Sequence, residues 1–375
     1  MVVRRLRVRD FRTYASADVG LGAGLTVVHG RNGAGKTNLL EAVYFGCTGR
    51  SCRTRDERQV VRFGQQATRV EVEVEGTDGP HQLSVGFEPG EPKRIRVDGV
   101  AVEALAEHPS RPLVSVFLPD RLELIKGPPS LRRAHLDQVV AALWPARAAT
   151  RRGYSQALAQ RNALLGRVRS GSVSRDALAT WDQELARHGI ALRDDRGAAV
   201  AAVEPGVATI AAELGIAGGV ALRYRPRSKA PDVAGLAAEL AERADADLER
   251  GFTTHGPHRD DLALVREGRD LRVYGSQGEQ RLGLLALLLA ERAVLEAERG
   301  APPLMLLDDV MSELDADRRG RLVERLRGGG QAVVTTTDLA HVPEAERAEV
   351  MRIAVADGAV LQAVDGGTPA AVQAS

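Results

Sequence analysis

Residues 30–37 read Gly-Arg-Asn-Gly-Ala-Gly-Lys-Thr and match G-x-x-x-x-G-K-[ST]. No other stretch constrains the fold as strongly. The residues before it, LTVVH (25–29), read as a short strand, and a helical pattern runs from Asn38 to Cys47. Strand, glycine loop and helix start together make a phosphate cradle. Its glycines allow the backbone N–H groups of Gly30, Arg31, Asn32, Gly33, Ala34 and Gly35 to converge on phosphate oxygens. The helix N-terminus adds positive potential. Lys36 is placed to reach the β- and γ-phosphates, and the Thr37 hydroxyl to ligate Mg²⁺. Only four of the 51 cationic side chains are lysine. Arginine serves wherever a plain cation will do, so the ammonium of Lys36 is chemically distinctive.

A phosphate loop needs an acidic partner. LMLLDDV (304–310) ends an apolar strand in two carboxylates, and ligands bind beyond the carboxyl ends of strands in such sheets. Asp308 is expected to hold Mg²⁺, directly or through water. Asp309 stands one residue further out and is assigned as general base or water-orienting group. It is one methylene shorter than a glutamate, so slow turnover is expected. Asp315 reads equally well as the N-cap of the helix at 316–327.

A second polar loop, YGSQGEQR (274–281), opens the very apolar helix that follows residue 281. A Ser/Gly loop at a helix N-terminus is a second anion site. Within one chain, two such loops do not easily clasp one phosphate from opposite sides. Two chains facing head to tail can do so, each covering the other's γ-phosphate. Ser276 would then donate its hydroxyl, Gly278 would permit close backbone approach, and Gln280 would join the nucleotide site. This predicts an ATP-dependent homodimer.

The rest of the chain supplies the frame. RRLRVRDF alternates as a half-buried strand, and TRVEVEVEG, HQLSVGF and KRIRVDGVAV alternate around Asp-Gly turns as an antiparallel meander. LVSVFL (113–118) is a further strand. From about 131 to 215 the chain is rich in Ala, Leu and Arg and reads as helices, without the sustained heptads of a long coiled coil. Residues 216–236 are punctuated by Gly and Pro, and one helix is predicted over 234–251. After the acidic strand come the helix at 316–327, a strand (AVVTTT) and a closing hairpin at Asp357-Gly358. The predicted organisation is α/β. Residues 1–118 with 300–365 form the nucleotide lobe, 119–299 a mainly helical lobe carrying the Ser/Gly loop, and 366–375 a disordered tail.

The net charge of +1 hides its distribution. Residues 1–60 sum to +6 (11 basic, 5 acidic) and 121–170 to +8 (10 basic, 2 acidic), leaving −13 elsewhere. Two basic segments in a balanced chain suit a nucleic-acid backbone. Arg5, Arg7 and Arg9 share one strand face, and Arg132, Arg133, Arg151 and Arg152 lie on predicted helices; all are candidate DNA contacts. No aromatic-rich stacking platform is visible, which favours duplex backbone contact over base reading. The longest apolar run, Leu282–Ala290, is nine residues, against about 20 for a membrane span. Arginines at the N-terminus argue against a targeting peptide, and Cys47 and Cys52 read as thiols of a reducing cytoplasm. His255, His258, Asp260 and Asp261 surround a Gly-Pro break and read as an interdomain hydrogen-bond cluster, or a contact to the nucleotide-bound state, rather than a metal site. No N-K-x-D guanine reader occurs.

Phosphate loop, Ser/Gly loop, acidic strand and then Ser312-Glu313-Leu314-Asp315 resemble, in this order, the ABC-type ATPases, where the last is the D-loop. Within that class, PDRLELIKGPPSLRRAHLD (119–137), TTHGPHRDDL (253–262), YGSQGEQR and LLDDVMSELDADRRGRL (306–322) resemble the RecF family. The resemblance runs from the N-terminal strand to the threonines at 335–337. It implies an ABC-type P-loop ATPase head with a mixed sheet, a β meander and an inserted helical lobe, related to the Rad50 and chromosome-maintenance heads but without their long coiled coil. It also implies ATP and Mg²⁺, a dimer formed with ATP on DNA, weak hydrolysis, and action with RecR and RecO in loading RecA at gapped DNA. Departures are few. His135 stands where the family usually has an aromatic. Thr335-Thr336-Thr337-Asp338 occupies the place of a transporter-type histidine, where threonine would substitute. No glutamine marks a Q-loop; Asp120 stands nearest by order. A non-hydrolysing, ATP-gated scaffold and a transporter-type ATPase subunit are the rival readings.

Overall fold

In the computed structural model the chain divides into two compact units, Met1–Arg121 with Leu295–Ser375, and Leu122–Val294. The structure describes residues 1–105, 108–118, 122–312, 314–365 and 368–370. Asp120 and Glu313 therefore lie outside the described residues.

The first unit opens with a hairpin, β1 (Val2–Phe11) and β2 (Tyr14–Gly20). β3 (Leu25–His29) then feeds the phosphate loop and α1 (Lys36–Thr48). β4 (Thr68–Gly76), β5 (Gly79–Phe87), β6 (Arg94–Val97) and β7 (Val100–Ala101) follow as antiparallel neighbours, and β8 (Val114–Phe117) comes next. The six-stranded sheet has the order β2-β1-β4-β5-β6-β7. β1 turns Leu6 and Val8 inward and its arginines outward, as its alternation predicts; a register shift between Val3 and Arg5 lets Val3 also face the core. Asp98 and Gly99, both at positive φ, close the turn between β6 and β7.

The second unit contains α2 (Glu123–Lys126), α3 (Pro129–Leu143), α4 (Ala148–Arg169), the 36-residue α5 (Leu178–Glu213), β9 (Ala221–Arg225), α6 (Val233–Glu242) and α7 (Ala244–Arg250). It continues through β10 (Asp261–Arg266), β11 (Arg269–Asp270), α8 (Leu271–Tyr274) and α9 (Gln277–Arg299), whose last residues belong to the first unit. A small sheet of order β11-β10-β9 is the element that the sequence conceals. ALRYR buries Leu222 alone, so strand periodicity has almost nothing to register. The helix predicted over 234–251 breaks at Arg243, which closes α6 and precedes α7.

The chain then returns to the first unit through β12 (Leu304–Leu307), α10 (Ala316–Arg327), β13 (Ala332–Thr336), β14 (Met351–Ala356), β15 (Ala359–Asp365) and β16 (Thr368–Ala370). β16 falls within the segment expected as a tail and pairs with β15; the remainder of 366–375 lies outside the described residues. The mixed sheet has the order β16-β15-β14-β3-β13-β12-β8. β8, β12, β13, β3 and β14 run parallel, and β15 is antiparallel. Parallel strands need cover on both faces, hence the continuous apolar runs of β3 and β12.

α1 lies in the core common to both sheets. Leu39, Leu40, Ala42, Val43 and Phe45 cluster with Val70, Val72 and Val85 of the meander and with Val28, Leu306 and Val333 of the mixed sheet. A helix covered all round needs no polar face. Gly46 lets α1 approach β4: a Cβ there would collide with Val72 and touch Val70. Gly46→Ala is therefore expected to lower stability by about 1–3 kcal/mol through overpacking, although alanine is the better helix former. Urea unfolding measures it; an unchanged or raised midpoint would contradict the packing.

Candidate nucleotide site

The phosphate loop is shaped by its glycines and fixed by its neighbours. Gly30 passes so close to β14 that a Cβ would collide with the Val355 carbonyl. Gly35, at φ +112, caps α1 beneath the Tyr14 ring. Tyr14 is fully buried, and its hydroxyl donates to Gly35 O at 3.1 Å. Gly358 N donates to Ala34 O at 2.9 Å. Lys36 folds over the loop and donates from Nζ to Gly30 O (2.8 Å) and Arg31 O (2.9 Å). Burial lowers the affinity of its amine for the proton, while Asp309 and Asp308 act in the opposite direction. Both acids are thus electrostatic neighbours of Lys36.

The acidic strand meets the loop across the sheet. Thr37 Oγ1 lies 2.9 and 3.0 Å from the two oxygens of Asp308. Thr335 Oγ1, at the end of β13, donates to Asp308 Oδ1 at 2.7 Å and accepts Asp309 N–H at 2.9 Å. One fully buried hydroxyl therefore clamps both acids. Burial raises the Asp308 carboxyl above its usual range, against the pull of the Thr335 and Thr37 hydroxyls. Asp309 sits at φ +47, a left-handed conformation that Asp tolerates better than most residues. Its Oδ2 accepts from Ser312 Oγ at 3.1 Å, and its buried Oδ1 has no hydrogen-bond partner among the described residues. Thr37 and Asp308 offer an all-oxygen donor set, which suits a hard cation such as Mg²⁺. Asp315 caps α10 through Arg318 N at 2.9 Å.

The loop at 274–281 is a capping box at the start of α9. Glu279 N donates to Ser276 Oγ (3.2 Å), and Ser276 N donates to Glu279 Oε2 (2.8 Å). The Ser276 oxygen is thus used as an acceptor, which leaves its hydroxyl proton to donate elsewhere. A Cβ at Gly278 would meet nothing within 4 Å, so no neighbour among the described residues requires glycine there. Gln280 corrects its assignment. It is 3% exposed, and its Nε2 donates to Leu271 O (2.8 Å) and Gly275 O (3.1 Å), tying α8 to α9 rather than facing a nucleotide.

TTHGPHRDDL, expected as an interdomain cluster, instead makes these hydrogen bonds within the second unit. Thr253 and Thr254 hydroxyls bond Asn162 and Asp247, and His255 Nε2 meets Glu239 at 2.6 Å. His258 contacts the Tyr154 hydroxyl at 2.7 Å; burial depresses its pKa to about 4, so it is neutral at pH 7. Asp260 binds Arg196, Tyr224 and Arg227 N.

The candidate DNA contacts separate by surroundings. Arg132 is 5% exposed and bidentate to Asp261 at 2.7 and 3.0 Å, so it holds β10 to α3 and is removed from the surface set. Arg133 is half-buried and donates to Asp260 O at 2.8 Å. Arg5 and Arg7 pair with Asp18, and Arg7 also with Glu73. Arg151 faces Asp137 at 3.2 Å from an exposed position; Arg152 and Arg9 are exposed. The sequence offers no hint of Tyr14's role, and it marks Thr335 only as one of the threonines in the place of a transporter-type histidine.

Mixed sheet, meander, phosphate loop and clamped acidic pair define an ABC-type P-loop ATPase head. Residues 5–108 match the AAA domain family. The DNA replication and repair protein RecF of Acidothermus cellulolyticus is 39% identical over 348 residues, 90% of this chain and 94% of that protein. That of Myxococcus xanthus is 37% identical over 98% of both. The chain belongs to the RecF family of DNA replication and repair proteins. A solved structure of the recombination mediator protein RecF with ATP superposes with a TM-score of 0.82, 27% identity and 96% coverage of each chain. An SMC head bound to a ScpA domain shares the fold at TM-score 0.60 and 16% identity. Among the described residues no helix is long and apolar enough to cross a membrane.

Proposed function

We propose that this chain is a cytoplasmic, ATP-gated DNA-binding protein that dimerises around ATP and releases DNA on slow hydrolysis. The observation that carries the reading is the convergence of Thr37, Asp308, Asp309 and Thr335 beside the phosphate loop. Backbone N–H groups of residues 30–35 and the α1 N-terminus bind the phosphates, and Lys36 exchanges its two carbonyl partners for phosphate oxygens. Thr37 and Asp308 would hold Mg²⁺, which supplies positive charge against the phosphate oxygens. Asp309, oriented through its backbone by Thr335, takes the proton of the attacking water or aligns that water. Ser276 and Gly278 of a second copy cover the γ-phosphate, the serine through its uncommitted hydroxyl proton. With RecR and RecO, this cycle would serve RecA loading at duplex beside single-stranded gaps, as the family resemblance implies.

Sedimentation with and without ATP–Mg²⁺ tests the clasp. The wild-type chain is expected to shift from monomer to dimer, and Ser276→Arg to remain monomeric while still binding ATP. No ATP-dependent dimer, or a variant that dimerises normally, would refute the reading.

A further inference from the structure

The outer face of the six-stranded sheet carries an arrangement that the nucleotide site does not use. Arg9 opposes Arg69, Arg69 opposes Gly86, and Gly86 opposes Arg94. Directly opposed residues point to the same face, so Arg9, Arg69 and Arg94 form one exposed row across β1, β4 and β6. Neighbouring rows are neutralised: Arg7 by Asp18 and Glu73, Arg5 by Asp18. This row is not. Glu71 offsets Arg69 at 2.7 Å and Ser84 Oγ accepts from its Nε at 3.3 Å, but the guanidiniums of Arg9 and Arg94 have no ion-pair or hydrogen-bond partner among the described residues. Like charges set opposite each other weaken a sheet, so the fold gains nothing from the arrangement.

Phe63 stands at the same end of the sheet and is 100% exposed. Its turn is anchored there. Arg62 N donates to Asp10 O at 2.9 Å, the Arg62 guanidinium pairs with Asp10 at 2.8 Å, and Val61 bridges Phe11. Glu57 ties the approach to this turn to Lys93, just before β6, at 2.5 Å. In a chain with 3% aromatics, a fully exposed ring on a turn anchored next to Arg9 in sequence, at Asp10 and Phe11, is costly to keep in water and useful to a ligand that is both anionic and aromatic.

A flat row of cations, roughly 15 Å long at the usual strand spacing, suits a polyanion laid across it rather than a small anion held in a pocket. An exposed ring on the turn beyond β1 reaches a base only where stacking is interrupted. We propose that a DNA duplex lays its backbone across Arg9, Arg69 and Arg94, and that Phe63 stacks on the base exposed where duplex gives way to single strand. The inference rests on the DNA-binding reading above and supplies its site.

The test compares gapped and continuous duplexes of equal length, by fluorescence anisotropy at several salt concentrations, with the full-length chain and ATP–Mg²⁺. Arg9→Ala/Arg94→Ala is expected to weaken both duplexes and to reduce the salt slope by about 2, near 0.9 per lost phosphate contact. Phe63→Ala is expected to weaken the gapped duplex about tenfold, with little change on the continuous one. All three side chains are exposed, so circular dichroism and ATP binding should match wild type. A wild-type chain that binds neither duplex would defeat the DNA-binding reading itself. If wild type binds but the double variant keeps its affinity and salt slope, the row is overturned. If wild type shows no preference for the gap, or Phe63→Ala retains it, the stacking role is overturned.

Discussion

Asp309→Asn is expected to lower ATP turnover by about 10²–10⁴-fold while leaving ATP binding intact. Asparagine keeps the size of the side chain and accepts the φ of +47 that Asp309 adopts, so the strand end should not move. The backbone bond to Thr335 and the contact with Ser312 are both available to an amide. What disappears is the carboxylate whose Oδ1 is buried and unpartnered among the described residues. The ATP-bound dimer should then outlive the wild-type dimer, as measured by its dissociation on DNA after excess unlabelled chain is added. Equal dimer lifetimes would mean that hydrolysis is not the release step and would favour a scaffold that only reads ATP occupancy.

Arg161→Leu is expected to destabilise the second unit by about 3–5 kcal/mol. Arg161 is completely buried; Nε donates to Asp182 at 2.6 Å, and Nη1 donates to Asp247 at 2.7 Å and to the Thr253 hydroxyl at 2.8 Å. Removing the cation leaves two carboxylates in a dry interior with no countercharge. Burial already raises the Asp182 carboxyl above its ordinary range against the pull of Arg161, and the substitution removes that pull. A carboxyl whose folded pKa exceeds its unfolded value takes up its proton first in the folded state. The stability linked to it is present at low pH and lost as pH rises through the folded pKa. The deficit should therefore be greatest near neutrality and shrink towards about pH 4. Denaturant unfolding of variant and wild type at several pH values measures this; a deficit independent of pH would locate the loss in packing rather than in unpaired acids.

What the sequence makes legible follows from how local each signal is. The phosphate loop, the acidic strand and the alternating meander are written in consecutive residues, and the chain folds them where the pattern says. Asp308 and Thr37, 271 positions apart, meet because parallel strands deliver both to one edge, which strand–loop–helix order anticipates. Other features depend on partners that sequence does not name. Arg132 and Gln280 look like surface residues but are consumed by Asp261 and by the carbonyls of Leu271 and Gly275. β9 stays hidden because one face of a small sheet needs only Leu222 from it. Phe63 gives no periodic signal, and only the structure shows how fully it is exposed.

The placement of β3 has a consequence for synthesis on the ribosome. Leu25 aligns with Ala332, and Thr26 with Met351, so the strand that launches the phosphate loop gains its lateral neighbours only after more than 300 further residues have been translated. Nascent fragments thus carry the complete GRNGAGKT motif without the walls that shape it. Pairing across more than 300 positions also makes this a late and slow closure. The walls of the phosphate loop are expected to close together, as β13 and β14 slot in beside β3.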